Sequence, residues 1–321
     1  MIVARALTKH YRKTVAVHDL SFEVPPGVVT GFLGPNGSGK STTMRMIMGL
    51  DSPTSGSALV NGRTYAELGW PLREVGALLD AKAFHPGRSA FDHLRYLARA
   101  NDIPLRRVDE VLDAVGLTSV ARQRAGKYSL GMGQRLGIAS ALLGDPGVLI
   151  FDEPVNGLDP EGIRWVRGLL QGLAAEGRTV FVSSHLITEM SMTAQRLVVI
   201  GRGKLIAETT VDEFTAQSAG KVVRVVTPNA SSFVSALREI GAKVTVDQDG
   251  AVVVDGLSSA DVGRFAAHRS FTLFELTPIR ASLEDAFMEL TRDSFEFHGS
   301  VSPAQMASAT SASTSFQESG N

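Results

Sequence analysis

The sequence predicts an α/β fold of alternating strands and helices, followed by a smaller α+β unit. Short apolar runs at residues 28–33, 148–151 and 179–184 have the composition of strands that are buried on both faces of a parallel sheet. Parallel strands need helices between them, and residues 163–175 form one such helical stretch. The strand at 28–33 also runs directly into a glycine-rich loop and a helix.

Both ends of the α/β region are predicted to contain antiparallel strands. Residues 2–7 and 20–27 are strand-like without a helix between them, which favours an antiparallel subsheet near the N-terminus. Residues 196–208 form a predicted hairpin that turns at Gly201-Arg202-Gly203. We place the whole α/β region within residues 1–216.

The composition limits the classes of partner that we expect. The chain has 321 residues, a formal net charge of −1 and no cysteine. The small net charge disfavours nucleic acid as the main partner, and the lack of cysteine excludes disulfides, thiolate metal sites and cysteine nucleophiles. We see neither the apolar core of a signal peptide nor a run of about 18 apolar residues. Any membrane role is therefore expected to depend on a partner.

The loop at residues 34–41 has the pattern G-x-x-x-x-G-K-[ST], which is typical of phosphate binding. Gly34, Gly37 and Gly39 let successive backbone N–H groups converge on one anion. Lys40 places a positive charge where the β- and γ-phosphates lie, and the Ser41 hydroxyl is a ligand for Mg²⁺. The loop predicts nucleotide binding but leaves open what the nucleotide drives, since kinases, GTPases, motors and transporters all use it.

Two carboxylates follow the predicted strand at 148–151. Asp152 can hold Mg²⁺ through water, and Glu153 can orient and polarise a water molecule for in-line attack on the γ-phosphate. Alone, the pair would suit a solvated acidic turn equally well. Beside a phosphate loop, it indicates nucleotide hydrolysis.

A second helix start that could bind phosphate lies within residues 128–143. Ser129 and Gly131 would present a hydroxyl group and free backbone N–H groups together. Because the loop at 34–41 already serves one nucleotide, we expect a head-to-tail homodimer. In this dimer the Ser129 end of each subunit closes over the ATP of the other subunit.

A second unit is predicted from about residue 221. Its elements follow the order β-α-β-β-α-β, which matches the ferredoxin-like arrangement. The pair Asp249-Gly250 is a strong signal for a hairpin turn. The predicted elements are a strand at 221–226, a helix at 232–240, a hairpin at 243–254, a helix at 258–268 and a strand at 271–276.

The C-terminal residues are predicted to contain one more helix and a tail. Residues 282–290 suit a closing helix, in which Ser282 and Asp285 can form a capping box. We place the end of the α+β unit, 221–297, after this helix. The remaining residues, 298–321, are rich in Ser, Ala and Thr and are predicted to be a disordered tail.

The ordered motifs GPNGSGKST, YSLGMGQ, FDEP, NGLDP and SSH resemble the ATP-binding subunits of ABC transporters. They resemble most the subunits of bacterial drug and antibiotic exporters, whose permease is a separate polypeptide. The resemblance implies a P-loop ATPase, an ABC-type nucleotide-binding domain with an antiparallel subsheet and a helical subdomain. It also implies Mg²⁺-dependent ATP hydrolysis by a homodimer at the cytoplasmic face of the membrane. The partner would be a permease with about six transmembrane helices in each chain.

The resemblance also assigns roles to individual residues. Tyr11 matches the aromatic residue that stacks on adenine, and Glu153 matches the catalytic base. Asp159 matches the residue that couples the two sites across the dimer, and His185 matches the switch histidine that contacts the γ-phosphate. The residues that match phosphate and Mg²⁺ contacts are Gly34, Pro35, Asn36, Gly37, Ser38, Gly39, Lys40, Ser41 and Thr42.

The chain departs from the family pattern in three ways. Family members commonly read LSGGQ where this chain has YSLGM, so Leu130 replaces a glycine and Met132 replaces a glutamine. Asp80 stands where the family usually has a glutamine. It could ligate Mg²⁺ directly or serve only the coupling to the permease, and we expect the second role. We expect an active enzyme that these changes could slow.

Two other functional classes fit parts of the sequence. A soluble ABC-type ATPase that acts on ribosomes or DNA typically carries two ATPase cassettes, a long coiled coil or basic segments. This chain has one phosphate loop, no sustained heptad pattern and no excess of positive charge. A non-catalytic nucleotide sensor is disfavoured because Glu153 and His185 are both present.

Overall fold

The computed structural model describes residues 1–218 and 222–279. The predicted helix at 282–290 and the predicted tail at 298–321 lie outside these residues. The strands are β1 (Ile2–Tyr11), β2 (Thr14–Val24), β3 (Val29–Leu33), β4 (Ser55–Val60), β5 (Val75–Leu78), β6 (Val148–Asp152), β7 (Thr179–Ser184), β8 (Arg196–Gly201), β9 (Lys204–Thr210), β10 (Val222–Val226), β11 (Lys243–Val246), β12 (Val252–Asp255) and β13 (Glu275–Ile279). The helices are α1 (Lys40–Ile47), α2 (Pro71–Glu74), α3 (Ala90–Ala100), α4 (Arg106–Ala114), α5 (Leu130–Leu142), α6 (Pro160–Ala175), α7 (Ile187–Thr193), α8 (Val211–Ser218), α9 (Ala230–Glu239) and α10 (Ser259–His268).

The central sheet has the strand order β5-β6-β7-β3-β8-β9. Its strands are parallel except β9, which pairs antiparallel with β8. All residues of β3 and β7 are buried, as expected for strands covered on both faces. Leu33 pairs with Ser184, and Asp152 pairs with Ser183. The carboxyl ends of β3, β6 and β7 therefore lie side by side at one edge of the sheet.

The N-terminal strands form the predicted antiparallel subsheet, with the order β2-β1-β4. The sequence did not predict β4, because its first residues, Ser55 and Gly56, are exposed and carry no alternating apolar pattern. Phe22 of β2 packs against Phe32 of β3 and Phe181 of β7, and the three ring centroids lie 5.0–5.5 Å apart. This aromatic cluster joins the subsheet to the central sheet.

Helices α3, α4 and α5 fill the chain between β5 and β6, which agrees with the helical subdomain that the resemblance implied. Ser89 caps α3 by accepting a hydrogen bond from the Asp92 backbone N–H at 3.0 Å. The three helices contribute buried residues to one hydrophobic cluster, among them Leu94, Val108, Leu112 and Leu136. This packing supports α5, the helix that begins after Ser129.

The C-terminal sheet has the strand order β11-β12-β10-β13, and all its neighbouring strands are antiparallel. With α9 and α10 between the strands, residues 222–279 show the predicted β-α-β-β-α-β order. The prediction of a strand at 271–276 was wrong about its start, since β13 begins at Glu275. Phe271 instead packs its ring against Phe233 of α9, with the centroids 5.1 Å apart. Hydrogen bonding to the sheet begins at Phe274, whose N–H donates to the Val226 carbonyl at 2.7 Å.

Candidate active site

The phosphate-type loop lies between β3 and α1, and its glycines are sterically required. Gly37 and Gly39 have φ angles of +79° and +102°, in the region that favours glycine. A Cβ atom on Gly39 would lie 2.6 Å from the Ala16 carbonyl oxygen. A Cβ atom on Gly34 would lie 2.6 Å from the Ile200 carbonyl oxygen. The backbones of β2 and β8 therefore leave no room for a side chain at these two glycines, which restricts the loop to one backbone conformation.

Lys40 is the buried cation of the loop, with only 6% of its surface exposed. Its Nζ donates to the carbonyl oxygens of Gly34 at 2.7 Å and Pro35 at 3.2 Å. Burial lowers the pKa of Lys40, while the carboxylates of Glu153 and Asp152 act in the opposite direction. These two carbonyl oxygens of the loop therefore fix the position of the ammonium group.

The loop and the two carboxylates enclose one cavity of about 230 Å³. The structure thus brings the predicted phosphate loop and the predicted carboxylates together at the edge where β3 and β6 end. The cavity is lined by Ala16, Asn36, Gly37, Ser38, Gly39, Lys40, Ser41, Thr42, Asp152 and Glu153.

Ser183 positions both carboxylate residues, and the sequence analysis did not single it out. Its buried hydroxyl donates to Asp152 Oδ1 and accepts from the Glu153 backbone N–H at 3.0 Å. The only signal in the sequence was the hydroxyl pair in the SSH motif. The pairing of β6 with β7 determines which of these hydroxyls reaches the site.

Glu153 has one engaged and one free carboxylate oxygen. Its Oε1 lies 2.9 Å from His185 Nδ1, which joins the two residues predicted to be catalytic. Its Oε2 is buried and has no hydrogen-bond partner in the described part of the chain. The Glu153 side chain is 20% exposed and that of His185 37% exposed. A buried carboxylate oxygen without a partner among the described residues, on a side chain that lines the cavity, is suited to accept a proton from a bound water.

Gln134 is a second residue that the sequence analysis missed. It lies on α5, is 2% exposed, and its Nε2 donates to the Glu153 carbonyl oxygen at 3.0 Å. A buried side-chain amide that donates to a backbone carbonyl, outside the lining of the cavity, suits a positional role better than contact with the nucleotide. The letter Q inside YSLGMGQ was its only signal in the sequence.

The donor set fits Mg²⁺ bound together with nucleotide phosphates. Ser41 and Asp152 bring a hydroxyl and a carboxylate oxygen to the same cavity. Among the described residues, no group of three or more His, Cys, Asp or Glu side chains could hold a metal alone. Mg²⁺ usually takes one or two protein carboxylates and fills its other positions with water and phosphate oxygens.

Three predicted nucleotide contacts lie away from this cavity. Ser129 is exposed and caps α5, accepting a hydrogen bond from the Met132 N–H at 3.2 Å. Gly131 is in the first turn of the same helix. Asp159 caps α6 by accepting from the Gly162 N–H at 2.8 Å. Within one chain, these groups do not line the phosphate cavity.

Tyr11, the predicted adenine contact, is exposed near the end of β1. Its hydroxyl donates to Asp51 Oδ2 at 2.9 Å, and Lys9 Nζ lies 5.0 Å from the ring centroid. Partial desolvation of the hydroxyl and its bond to Asp51 raise the pKa of Tyr11. The ring does not line the phosphate cavity.

Asp80, the predicted alternative metal ligand, lies in a second cavity of about 190 Å³. It does not line the phosphate cavity, and its Oδ1 accepts a hydrogen bond from the Lys82 N–H at 2.8 Å. The second cavity is mainly apolar, with Phe84, Leu97 and the buried His93 among its walls.

Comparison with known proteins identifies the family. A family model described as ABC transporter matches residues 17–156. The chain is 35% identical over 303 residues to the uncharacterized ABC transporter ATP-binding protein YhcH of Bacillus subtilis (strain 168), with 90% of this chain and 95% of the relative covered. The chain belongs to the ATP-binding proteins of ABC transporters. It is an ABC-type ATPase, and the predicted fold class of its ATP-binding region is confirmed.

Other relatives include ABC ATPases with named substrates. The chain is 42% identical over 212 residues to the bacitracin transport ATP-binding protein BcrA of Bacillus licheniformis, which covers 64% of this chain and 68% of the relative. It is 35% identical over 212 residues to the lantibiotic transport ATP-binding protein SrtF of Streptococcus pyogenes, covering 66% and 92%.

Solved structures show the same fold for the ATP-binding region. One, described as the ATP binding subunit of an ABC transporter, is 27% identical and has a TM-score of 0.62, covering 68% of this chain and 92% of that one. Another, the dimeric bacterial ABC transporter cassette MJ0796, is 25% identical with a TM-score of 0.61, covering 66% and 99%.

Two further findings concern the C-terminal unit and the membrane. A second family model, described as a domain of unknown function, matches residues 221–284. The predicted bounds of the two units, 1–216 and 221–297, stay predictions. In residues 1–218 and 222–279, no helix has the length and apolar character needed to cross a bilayer.

Proposed function

We propose that the chain is the ATP-hydrolysing subunit of an ABC export complex. It couples ATP binding and hydrolysis at two composite dimer sites to efflux of a drug, an antibiotic or a lipid-like compound through a separate permease. The observation that carries this proposal is the phosphate cavity, which Lys40, Asp152 and Glu153 line together, with His185 bonded to Glu153. The relatives named for bacitracin and lantibiotic transport support the class of substrate.

In the proposed reaction, Lys40 transfers hydrogen bonds from the loop carbonyls to phosphate oxygens. When bound, Mg²⁺ neutralises phosphate charge, and Ser41 and Asp152 are the residues that would hold it. Because His185 Nδ1 engages Glu153 Oε1, the other oxygen, Oε2, is left to accept a proton from the attacking water. The oxygen of that water bonds to the γ-phosphorus, and the bond from that phosphorus to the bridging oxygen breaks to release ADP.

The proposed dimer places the signature helix of one subunit over the ATP of the other. Ser129 and Gly131 lie at the exposed start of α5 and outside the phosphate cavity of their own chain. A helix N-terminus with a capping hydroxyl favours an anion. The MJ0796 cassette, which shares the fold of the ATP-binding region, is described as dimeric. In the dimer Asp159 would couple the two sites, and Tyr11 would stack on adenine.

The proposed partner is an integral-membrane permease with about six transmembrane helices in each chain, bound at the cytoplasmic face of the membrane. We expect the permease to contact the second cavity, because its apolar wall suits protein side chains. Asp80 lies in that wall, apart from the groups that would hold Mg²⁺. Its position supports a role in coupling more than one in metal binding.

Cells that depend on this chain provide the test. Deletion of the gene should increase sensitivity to cyclic peptide antibiotics of the bacitracin class, and the wild-type chain should restore resistance. Glu153→Gln keeps the shape of the side chain but cannot accept a proton, so purified ATPase activity should fall by about 10²–10³-fold. This variant should not restore resistance, although it should still bind ATP.

Two outcomes would contradict the proposal, and one would narrow its substrate class. Full resistance with Glu153→Gln would show that export does not need hydrolysis at this site. Unchanged antibiotic sensitivity on deletion would remove peptide antibiotics from the substrate class. Recovery of the tagged chain with ribosomes or DNA, rather than with a polytopic protein in detergent-solubilised membranes, would favour the soluble ABC-type ATPase.

A further inference from the structure

The start of α5 packs directly against the loop that follows Glu153. The Leu130 side chain occupies the space beside Gly157, where a Cβ atom would overlap it. A Cβ atom on Gly131 would lie 3.2 Å from Leu158 Cδ2. Leu130, the residue that departs from the family glycine, therefore adds an apolar contact between the helix and this loop. If the start of α5 moved, the loop packed against it would move as well, because closely packed groups transmit displacements.

Glu153 has a backbone conformation that needs support from its surroundings. Its φ angle is +50°, which is in the left-handed region that non-glycine residues rarely adopt. Such a conformation persists only where neighbouring groups hold it. Because the direction of the side chain depends on the backbone, the position of the carboxylate depends on the same support.

Three hydrogen bonds hold the Glu153 backbone. Its N–H donates to Ser183 Oγ at 3.0 Å. Its carbonyl oxygen accepts from Gln134 Nε2 at 3.0 Å and from the Asn156 N–H at 3.2 Å. Of the three partners, only Gln134 belongs to α5, the helix whose N-terminus carries Ser129. This bond is also shielded from water, because Gln134 is almost completely buried.

We infer that Gln134 is a positioning residue for Glu153 and that it links the two composite sites through one subunit. The inference rests on the proposed function, in which the Ser129 end of α5 contacts the ATP held by the other subunit. When the Ser129 end binds that ATP, α5 takes a defined position. The hydrogen bond from Gln134 then fixes the carbonyl oxygen of Glu153 relative to α5. The base is therefore aligned over its own ATP only when the partner's ATP is also in place.

The test compares Gln134→Met with the wild-type chain in full-length form. Methionine keeps the length of the side chain but cannot donate a hydrogen bond. We expect kcat to fall roughly 10-fold, since small misplacements of a catalytic group cost about one to two orders of magnitude. ATP affinity, measured by equilibrium binding, should stay within about twofold because Gln134 does not line the phosphate cavity. The Hill coefficient for ATP hydrolysis should fall towards one.

Gln171 provides a matched control on α6. Its Nε2 also donates to a backbone carbonyl, that of Met192 at 3.0 Å, but away from the phosphate cavity. Gln171→Met should leave kcat and the Hill coefficient at wild-type values. The inference is overturned if kcat of Gln134→Met is unchanged, if its ATP affinity falls in parallel with kcat, or if both glutamine variants lose activity equally.

Gln134→Glu decides the question if the methionine variant does not fold. A buried glutamic acid can have a pKa as high as about 8–9, and its protonated form can donate to the Glu153 carbonyl. The kcat of this variant, divided by that of the wild type at the same pH, should therefore rise between about pH 9 and about pH 6. A ratio that does not change with pH would overturn the inference. Hydrolysis by a wild-type monomer would instead overturn the composite-site proposal, while the kcat comparison would still test the positioning of Glu153.

Discussion

Two cavities of the described ATP-binding region are similar in volume but are lined by different kinds of residue. The phosphate cavity, about 230 Å³, is formed by a polar loop, a buried ammonium group and two carboxylates. The cavity at Asp80, about 190 Å³, is formed mainly by Leu, Ala and Phe side chains, with Asp80 and His93 as its titratable lining residues. Volume alone therefore does not indicate what either cavity binds.

The difference lies in how the polar groups of each cavity are satisfied. In the phosphate cavity, Lys40 and Asp152 are held by backbone or side-chain partners, while Glu153 Oε2 is buried without one. In the second cavity, His93 Nδ1 is the buried atom without a partner in the described residues. The first arrangement is prepared for an anion and a proton transfer. The second combines apolar side chains with a buried histidine whose ring packs edge-on against Phe84.

The largest expected effect comes from removing the lysine of the phosphate cavity, compared with removing a lysine beside the second cavity. Lys40→Ala removes the only side-chain charge of the phosphate loop, so ATP binding should be greatly weakened and turnover abolished. The matched control is Lys82→Ala, which removes an exposed ammonium group beside the second cavity and should leave ATP binding near the wild-type value. Equilibrium binding and phosphate release measure both. ATP binding and hydrolysis by Lys40→Ala at wild-type levels would refute the assignment of the phosphate cavity.

A smaller effect on hydrolysis is expected from Asp80→Asn. The substitution replaces the charged carboxylate of Asp80 with a neutral amide, the same functional group as in the glutamine that the family usually has at this position. Because Asp80 does not line the phosphate cavity, basal ATPase activity should stay within a few-fold of the wild type, while transport by the assembled complex should fall. Basal ATPase activity and vesicle transport are measured side by side. If basal hydrolysis fell as far as in Glu153→Gln, Asp80 would belong to the chemical step and our interpretation would be wrong.

The smallest effect concerns the pH dependence of stability. Burial, and secondarily the charge of Arg88, lower the pKa of His93 below the ordinary value of 6.5. The unfolded chain therefore binds the proton more readily, and stability should decrease as the pH falls below about 6.5, by at most about 1.4 kcal/mol per pH unit from this group.

His93→Gln should reduce this decrease in the free energy of unfolding, which denaturant titrations at several pH values can measure. The exposed His18 offers the same substitution as a control for the other titrating groups. An acid dependence that is identical in His93→Gln and the wild type would show that the buried histidine does not contribute to it.

Much of the fold, together with the phosphate loop and the two carboxylates, could be predicted because their signals in the sequence are local. The strands at 148–151 and 179–184 were placed correctly, since a strand buried on both faces is a short apolar run. The start of β13 was misplaced, because Phe271 is as apolar as a strand residue but lies outside β13 and packs its ring against Phe233 of α9. Apolar composition reports burial, and it does not report the element that is buried.

The sequence by itself determined the phosphate loop and the carboxylates, because a backbone nest for an anion is made by consecutive residues. It also contained the ordered motifs that identified the family. Only the tertiary structure decided that Ser183 and Gln134 hold Glu153, and that Asp80 lies in a different cavity from Ser41. These relations depend on which strands are neighbours and on the packing of α5. Hydrogen bonds between such distant residues exist only after the sheet has assembled, so no local pattern encodes them.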